Sequence, residues 1–176
     1  MKSKKLYILL ACLIFCVFFS NSYAAGDAAL YKRGEKSLRN GDINVAFSDF
    51  RLLLVSFPDS RFYKGALFAV GEYYFFTANY FDAENAFSEF VDKFDEAEEK
   101  LFALAYLLEI HRKRKNENIV TELEKEIITY TQVSLLFREF KECEFASPLL
   151  RKHKAIYFID KVEFYVDGEL LTTVFY

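Results

Sequence analysis

Few residues of this 176-residue chain have the type and spacing that chemistry requires. Its two histidines, His111 and His153, each lie in a basic run, His111 to Lys115 and Arg151 to Lys154. Neither has a metal-ligand partner at helical spacing, and no HExxH or CxxC arrangement occurs. No glycine-rich phosphate loop is present, and no serine sits in a nucleophile-elbow sequence. The acidic cluster Asp92, Asp95, Glu96, Glu98 and Glu99 spans a helix end and the next helix start, where carboxylates favour the N-terminal dipole. An enzyme reading would have to rest on His153, Asp160 and Glu163, which nothing spaces for catalysis. The expectation is therefore no catalytic residue, no metal and no cofactor, with both basic runs on solvated surface. Contact of those runs with anionic lipid or peptidoglycan is the alternative.

The elements that would position any site are written in an internal echo. Leu30, Gly34, Ala46, Phe50, Leu53 and Phe57 recur 37 residues later as Leu67, Gly71, Ala83, Phe87, Phe90 and Phe94. A period of this size with small and large apolar residues alternating signals stacked helical hairpins. Gly34 and Gly71 fall inside helical patterns, where glycine costs about 1 kcal/mol against alanine, so close approach of a neighbouring helix must compensate. Ala46 and Ala83 supply small partners, and Phe50 and Phe87 fill the space between hairpins. Asn40-Gly41-Asp42 and Thr77-Ala78-Asn79 read as turns with a left-handed C-cap and an N-cap. Phe57-Pro58-Asp59-Ser60 ends one helix and caps the next. A degenerate third unit covers about 100–130. At the same offset it carries Leu108 for the glycine, Val120 for the alanine and Glu124 for the phenylalanine. Moving its second helix by one residue puts Leu123 in the phenylalanine slot, so a shorter turn is expected there.

From Thr131 the character changes. Ala155 to Val166 and Glu169 to Tyr176 are rich in β-branched and aromatic residues, with Asp167-Gly168 between them. That dipeptide predicts a tight hairpin, with Phe164 facing Leu171 and Tyr165 facing Leu170. A lone hairpin is marginal in water. It must pack on the last helices, gain a strand from Val133 to Pro148, or pair with another protein. The fold expected is mainly α, an antiparallel helical-hairpin solenoid over 25–130 followed by a small β-hairpin module over 131–176.

The stretch FPDSRFYKGALFAVGEYYFFTANYFDAENAFSEFVDKF resembles tetratricopeptide repeats (TPR). The resemblance runs from about Ala29 to Phe94 and is closest to BamD-like outer-membrane assembly lipoproteins and YbgF/CpoB-like cell-division coordinators. It implies a concave surface lined by the first helix of each hairpin. Carried onto this chain, that surface holds Tyr31, Glu35, Leu38 and Arg39, then Phe68, Glu72, Phe75 and Phe76, then Ala105, Glu109, Arg112 and Lys113. The partner-binding residues expected on it are Tyr31, Glu35, Leu38, Phe68, Glu72, Phe75, Phe76 and Glu109. By resemblance the protein is a non-enzymatic scaffold binding a peptide or helix segment of another envelope protein, in outer-membrane protein assembly or in envelope and cell-division coordination. An accessory subunit of a secretion or polysaccharide-export machine would use the same fold.

Residues 1–24 read as a signal peptide. Lys2, Lys4 and Lys5 precede the apolar run Leu6 to Phe19, which polar Ser20-Asn21-Ser22 closes before Ser22-Tyr23-Ala24. The run is short of the roughly 20 residues of a membrane span. Leu9-Leu10-Ala11-Cys12 superficially resembles a lipidation box, but cutting there would leave Leu13 to Phe19 as an apolar tail. Cleavage after Ala24 takes the basic count from 23 to 20 against 26 acids, and the net charge from −3 to −6. Such a surface disfavours nucleic acid. Only Cys143 then remains, read as a packing residue; it can form no intramolecular disulfide, and an intermolecular one stays open. The expected place is periplasmic or outer-membrane-associated, with peripheral membrane association compatible. Intact mass of the protein from its native host is expected to show a chain beginning at Ala25; a full-length or acylated species would overturn the reading.

Overall fold

A computed structural model describes residues 26–137 and 142–176. The leader expectation falls outside them. Six helices come first: α1 (Asp27–Arg39), α2 (Ile43–Ser56), α3 (Tyr63–Phe76), α4 (Tyr80–Lys93), α5 (Lys100–Lys113) and α6 (Glu117–Phe137). Four strands follow: β1 (Glu142–Ala146), β2 (Lys152–Tyr157), β3 (Lys161–Val166) and β4 (Glu169–Phe175). Consecutive helices pack as pairs along the chain, and β4 lies against α5 and α6. No described helix is long and apolar enough to cross a membrane.

The three helix pairs repeat in register. Their turns place Gly41 at φ 85°, Ala78 at φ 59° and Lys115 at φ 57°, each 37 residues after the last. In each turn the left-handed residue and the one after it donate back into the final helical turn. These bonds are Gly41 to Leu38 and Asp42 to Ser37, Ala78 to Phe75 and Asn79 to Tyr74, Lys115 to Arg112 and Asn116 to His111. That is the Schellman pattern, which satisfies carbonyls that a helix end leaves open. The side chains of Asp42 and Asn79 make no cap bond to the following helix, contrary to expectation. Backbone bonds close all three turns, and in the second the Thr77 hydroxyl adds a bond to the Tyr73 carbonyl at 2.8 Å. Ser60 does accept from the Phe62 amide at 3.1 Å just ahead of α3.

Gly34 lies under the ring of Phe50 and Gly71 under that of Phe87. A Cβ at either would approach ring carbons to 2.8 or 2.9 Å. The third pair keeps the same turn length, so the shorter turn expected there is corrected. Leu108 is buried where the glycines stand, and a phenylalanine opposite it would have no room. Glu124 holds that position instead and turns outward to Arg112 at 2.6 Å. Val120 and Ile127 remain buried at the positions of Ala83 and Phe90.

The C-terminal part is larger than the expected hairpin. It is a four-stranded antiparallel sheet in the order β1-β2-β3-β4. Asp167 (φ 53°) and Gly168 (φ 86°) form the β3–β4 turn, as a two-residue hairpin of this hand requires. Tyr165 pairs with Leu170, but a bulge between Phe164 and Tyr165 moves Phe164 onto Thr172 rather than Leu171. The run 155–166 is not one strand, because Phe158-Ile159-Asp160 breaks it. The ambiguous 133–148 stretch contributes the end of α6 and the edge strand β1.

Strand alternation puts Val162, Phe164 and Val166, Ala155 and His153, and Thr172 and Val174 on one buried face. That face shares one apolar core with α3, α4, α5 and α6. Helix α5 is accordingly buried on nearly every side from Lys100 to Leu108. Replacing Gly71 with alanine is expected to destabilise the protein by about 1–3 kcal/mol, the usual cost of overpacking. Adding Phe87→Leu should recover part of that loss in urea unfolding, because the ring is what the new methyl meets.

Candidate functional site

Most of the groove expected from the sequence is filled by the chain's own sheet. Phe68 is 1 % exposed and meets Phe145 at 5.2 Å and His153 at 5.6 Å between ring centres, both edge-on. Phe75 is buried against Tyr106 at 4.8 Å. Glu72 is 0 % exposed. These three were expected to contact a partner across an open groove, and they are buried instead. The reason is physical: large rings in an open groove gain by leaving water, and the apolar inner face of the sheet covers them.

The remaining candidates lie around this seam. Phe76 is 44 % exposed, with the Arg151 guanidinium 3.6 Å above its ring. Glu109 is half-buried and binds Lys113 at 3.0 Å, one helical turn on. Tyr31 stacks on Phe62 at 4.8 Å, and burial followed by the Glu35 carboxylate pushes its hydroxyl pKa up. Glu35 and Leu38 are half-buried and Arg39 is exposed. Leu38 packs on the first pair's core and Ala105 is buried. Glu35, Glu72 and Glu109 therefore do not form one solvent-facing stripe. Arg112 grips the sheet, donating to Thr172 Oγ1 at 2.5 Å and to the Thr173 carbonyl at 2.9 Å.

At the centre of the seam, His153 Nε2 lies 3.0 Å from Glu72 Oε1 and 2.9 Å from the Tyr106 hydroxyl. Tyr106 also reaches Glu72 at 3.3 Å. One group comes from α3, one from α5 and one from β2. Both histidines were expected on solvated surface, and both are buried. His111 Nε2 faces Glu84 at 3.3 Å, a carboxylate that Arg114 also binds. Strand alternation explains His153: its neighbours Lys152 and Lys154 point outward while it points in. Glu72 Oε2, His153 Nδ1 and Arg151 Nε have no hydrogen-bond partner among the described residues.

A buried Glu–Tyr–His cluster suggests proton transfer in type, and its side chains are shielded from solvent. Phe68, Phe102 and Phe145 ring the imidazole at centroid distances of 5.3 to 5.6 Å. Glu163 lies on the opposite face of the sheet from His153, bound to Lys161 and the Tyr165 hydroxyl, each at 2.6 Å. Asp160 sits in the β2–β3 turn, where its carbonyl accepts from Tyr176. His153, Asp160 and Glu163 do not converge. No metal-holding group of three or more histidine, cysteine or acidic residues occurs among the described residues.

Sequence reasoning missed Tyr106, Phe145 and Arg151. Tyr106 had one signal, a lone hydroxyl within the apolar run Leu101 to Leu108. The molecule is thus a set of packed helix pairs closed by a C-terminal antiparallel sheet, with a sealed polar cluster at the joint. No family model matches the sequence, and no curated protein is significantly similar to it.

Glu72→Ala is expected to cost about 3–5 kcal/mol, since it strips a buried cluster of one member. A double-mutant cycle with His153→Ala should give a coupling of about 0.5–3 kcal/mol. Tyr106 adds a pH signature. Burial first, then the Glu72 carboxylate, hold its pKa well above the ordinary value of 10.0. The folded protein therefore keeps a proton that the unfolded chain loses. The associated stability is complete below about pH 10 and falls as pH rises towards the folded value. Tyr106→Phe should flatten that alkaline loss in urea unfolding measured against pH.

Proposed function

We propose that this chain is an exported, non-enzymatic scaffold of the TPR type that holds a segment of another envelope protein. Outer-membrane protein assembly, or envelope and cell-division coordination, is the process the resemblance to BamD-like and YbgF/CpoB-like proteins implies. The observation that carries the reading is the repetition of helix boundaries and left-handed turns at 37-residue spacing through three pairs. Such repeats serve recognition through extended surfaces rather than through enclosed reactive sites. The burial of the Glu72, Tyr106 and His153 cluster supports the same reading, because its side chains are withdrawn from solvent.

With the concave aromatics covered, recognition falls to the borders of the helix–sheet seam. One border is a cleft of about 300 Å³ between α3, α5 and the β3–β4 turn, lined by Phe76, Tyr80, Glu109, Lys113 and Leu170. The other lies beside β1. The net acidic chain favours a partner segment carrying lysine or arginine beside apolar anchors.

Photo-crosslinking amino acids placed at Phe76, at Glu144 and, as a control, at exposed Val55 test this in the native envelope. At least one seam position is expected to capture a single envelope protein, and the control is expected not to. Capture only at Val55, or none at any position, would overturn the scaffold reading.

A further inference from the structure

The two outer strands of the sheet differ in what they leave open. The free side of β4 is engaged, since Arg112 donates to the Thr173 carbonyl and the strand lies against α5 and α6. β1 has β2 on one side and no strand on the other among the described residues. An edge strand presents backbone N–H and C=O groups at strand spacing, and another extended backbone is what matches them.

The side chains of β1 then narrow the chemistry. Cys143 and Phe145 point towards the core, while Glu142, Glu144 and Ala146 point outward. Glu142 and Glu144 both reach Lys154 of β2, at 2.5 and 3.3 Å, and both remain largely exposed. A second copy pairing antiparallel through this strand would set these glutamates against each other, which disfavours it. Basic residues opposite them are favoured by the same rule. Beside the edge, between β1 and the start of α3, opens a cleft of about 300 Å³. Tyr31, Phe62, Phe68 and Phe145 line it, with Lys64 tied to Glu99 at 2.8 Å. That volume is at the bottom of the range of about 300–1,000 Å³ typical of small-molecule sites and suits a side chain better than a cofactor.

We infer that β1 is the partner-binding edge. An extended segment alternating basic and apolar residues pairs with Glu142–Ala146. Its basic side chains lie opposite Glu142 and Glu144, and its apolar side chains run beside Phe145 and enter the aromatic cleft. The inference rests on the scaffold reading and gives it a site and a partner chemistry.

A labelled peptide, Lys-Val-Lys-Phe-Lys-Val, titrated with the full protein by fluorescence anisotropy, tests it. Two further versions carry backbone N-methyl groups on one or the other alternate set of residues. Only one set faces the edge, so one version should lose affinity by about tenfold or more, while the other binds as the parent does. The charge-reversed protein E142K/E144K should lose the basic peptide by a similar factor and bind Glu-Val-Glu-Phe-Glu-Val instead. No binding of the basic peptide, equal affinity of all three basic peptides, or indifference to charge reversal would each overturn the inference. The N-methyl comparison needs no altered protein, so a misfolded variant cannot decide the outcome. Failure here alongside crosslinking at Phe76 would remove the β1 edge and leave the scaffold reading standing; failure of both would remove both.

Discussion

The docking of the sheet's inner face on α5 and on the rings of α3 holds the rest of this structure in place. Helix α5 is apolar on nearly its whole circumference, and such a helix is stable only when enclosed. Helices α4 and α6 cover part of it, and Val162, Phe164 and Val174 of the sheet close the remainder. The sheet depends on the contact as strongly, because a small antiparallel sheet with one apolar face needs a second layer. Phe68, Tyr106, Phe145 and His153 interlock at the joint, mostly edge-on, the geometry that ring quadrupoles favour. Neither half has a complete core without the other.

Polar groups within that joint do something apolar packing cannot. Dispersion and water exclusion tolerate a sheet that slides or rotates on its helices. The contacts of His153 with Glu72 and Tyr106, and of Arg112 with Thr172 and Thr173, are directional and fix one placement. The cost is visible in the unpartnered Glu72 Oε2 and His153 Nδ1. Replacing a buried polar cluster by well-packed apolar groups is often neutral or stabilising, which points to specificity of docking as this cluster's contribution.

Docking of the sheet also decides which surfaces of the helix pairs stay open. Rings that resemble a peptide-binding groove in sequence are structural here, and the surfaces left open lie along the rims of the seam. There Phe76, Glu109 and the outward side of β1 meet solvent. The acidic edge residues discourage self-association through β1 while leaving it open to a basic strand.

The helix pairs were legible in the sequence because their packing is local. Gly34 with Phe50 and Gly71 with Phe87 are complementary pairs within one hairpin, so each repeat records its own contact. The β3–β4 turn was legible for a similar reason, since Asp167-Gly168 supplies the positive φ values that the turn demands. The β2–β3 turn carries Phe158 and Ile159, whose types suggest a strand, and it escaped notice. Periodicity could also tell that Phe68, Glu72 and Phe75 share a helical face, but not what that face meets. The covering strands lie far along the chain, and their alternation, not the basic run around His153, decides which side chain turns inward. Only the tertiary structure could decide that, because burial depends on contacts distant in sequence, and no local residue pattern encodes which apolar surface will close over another.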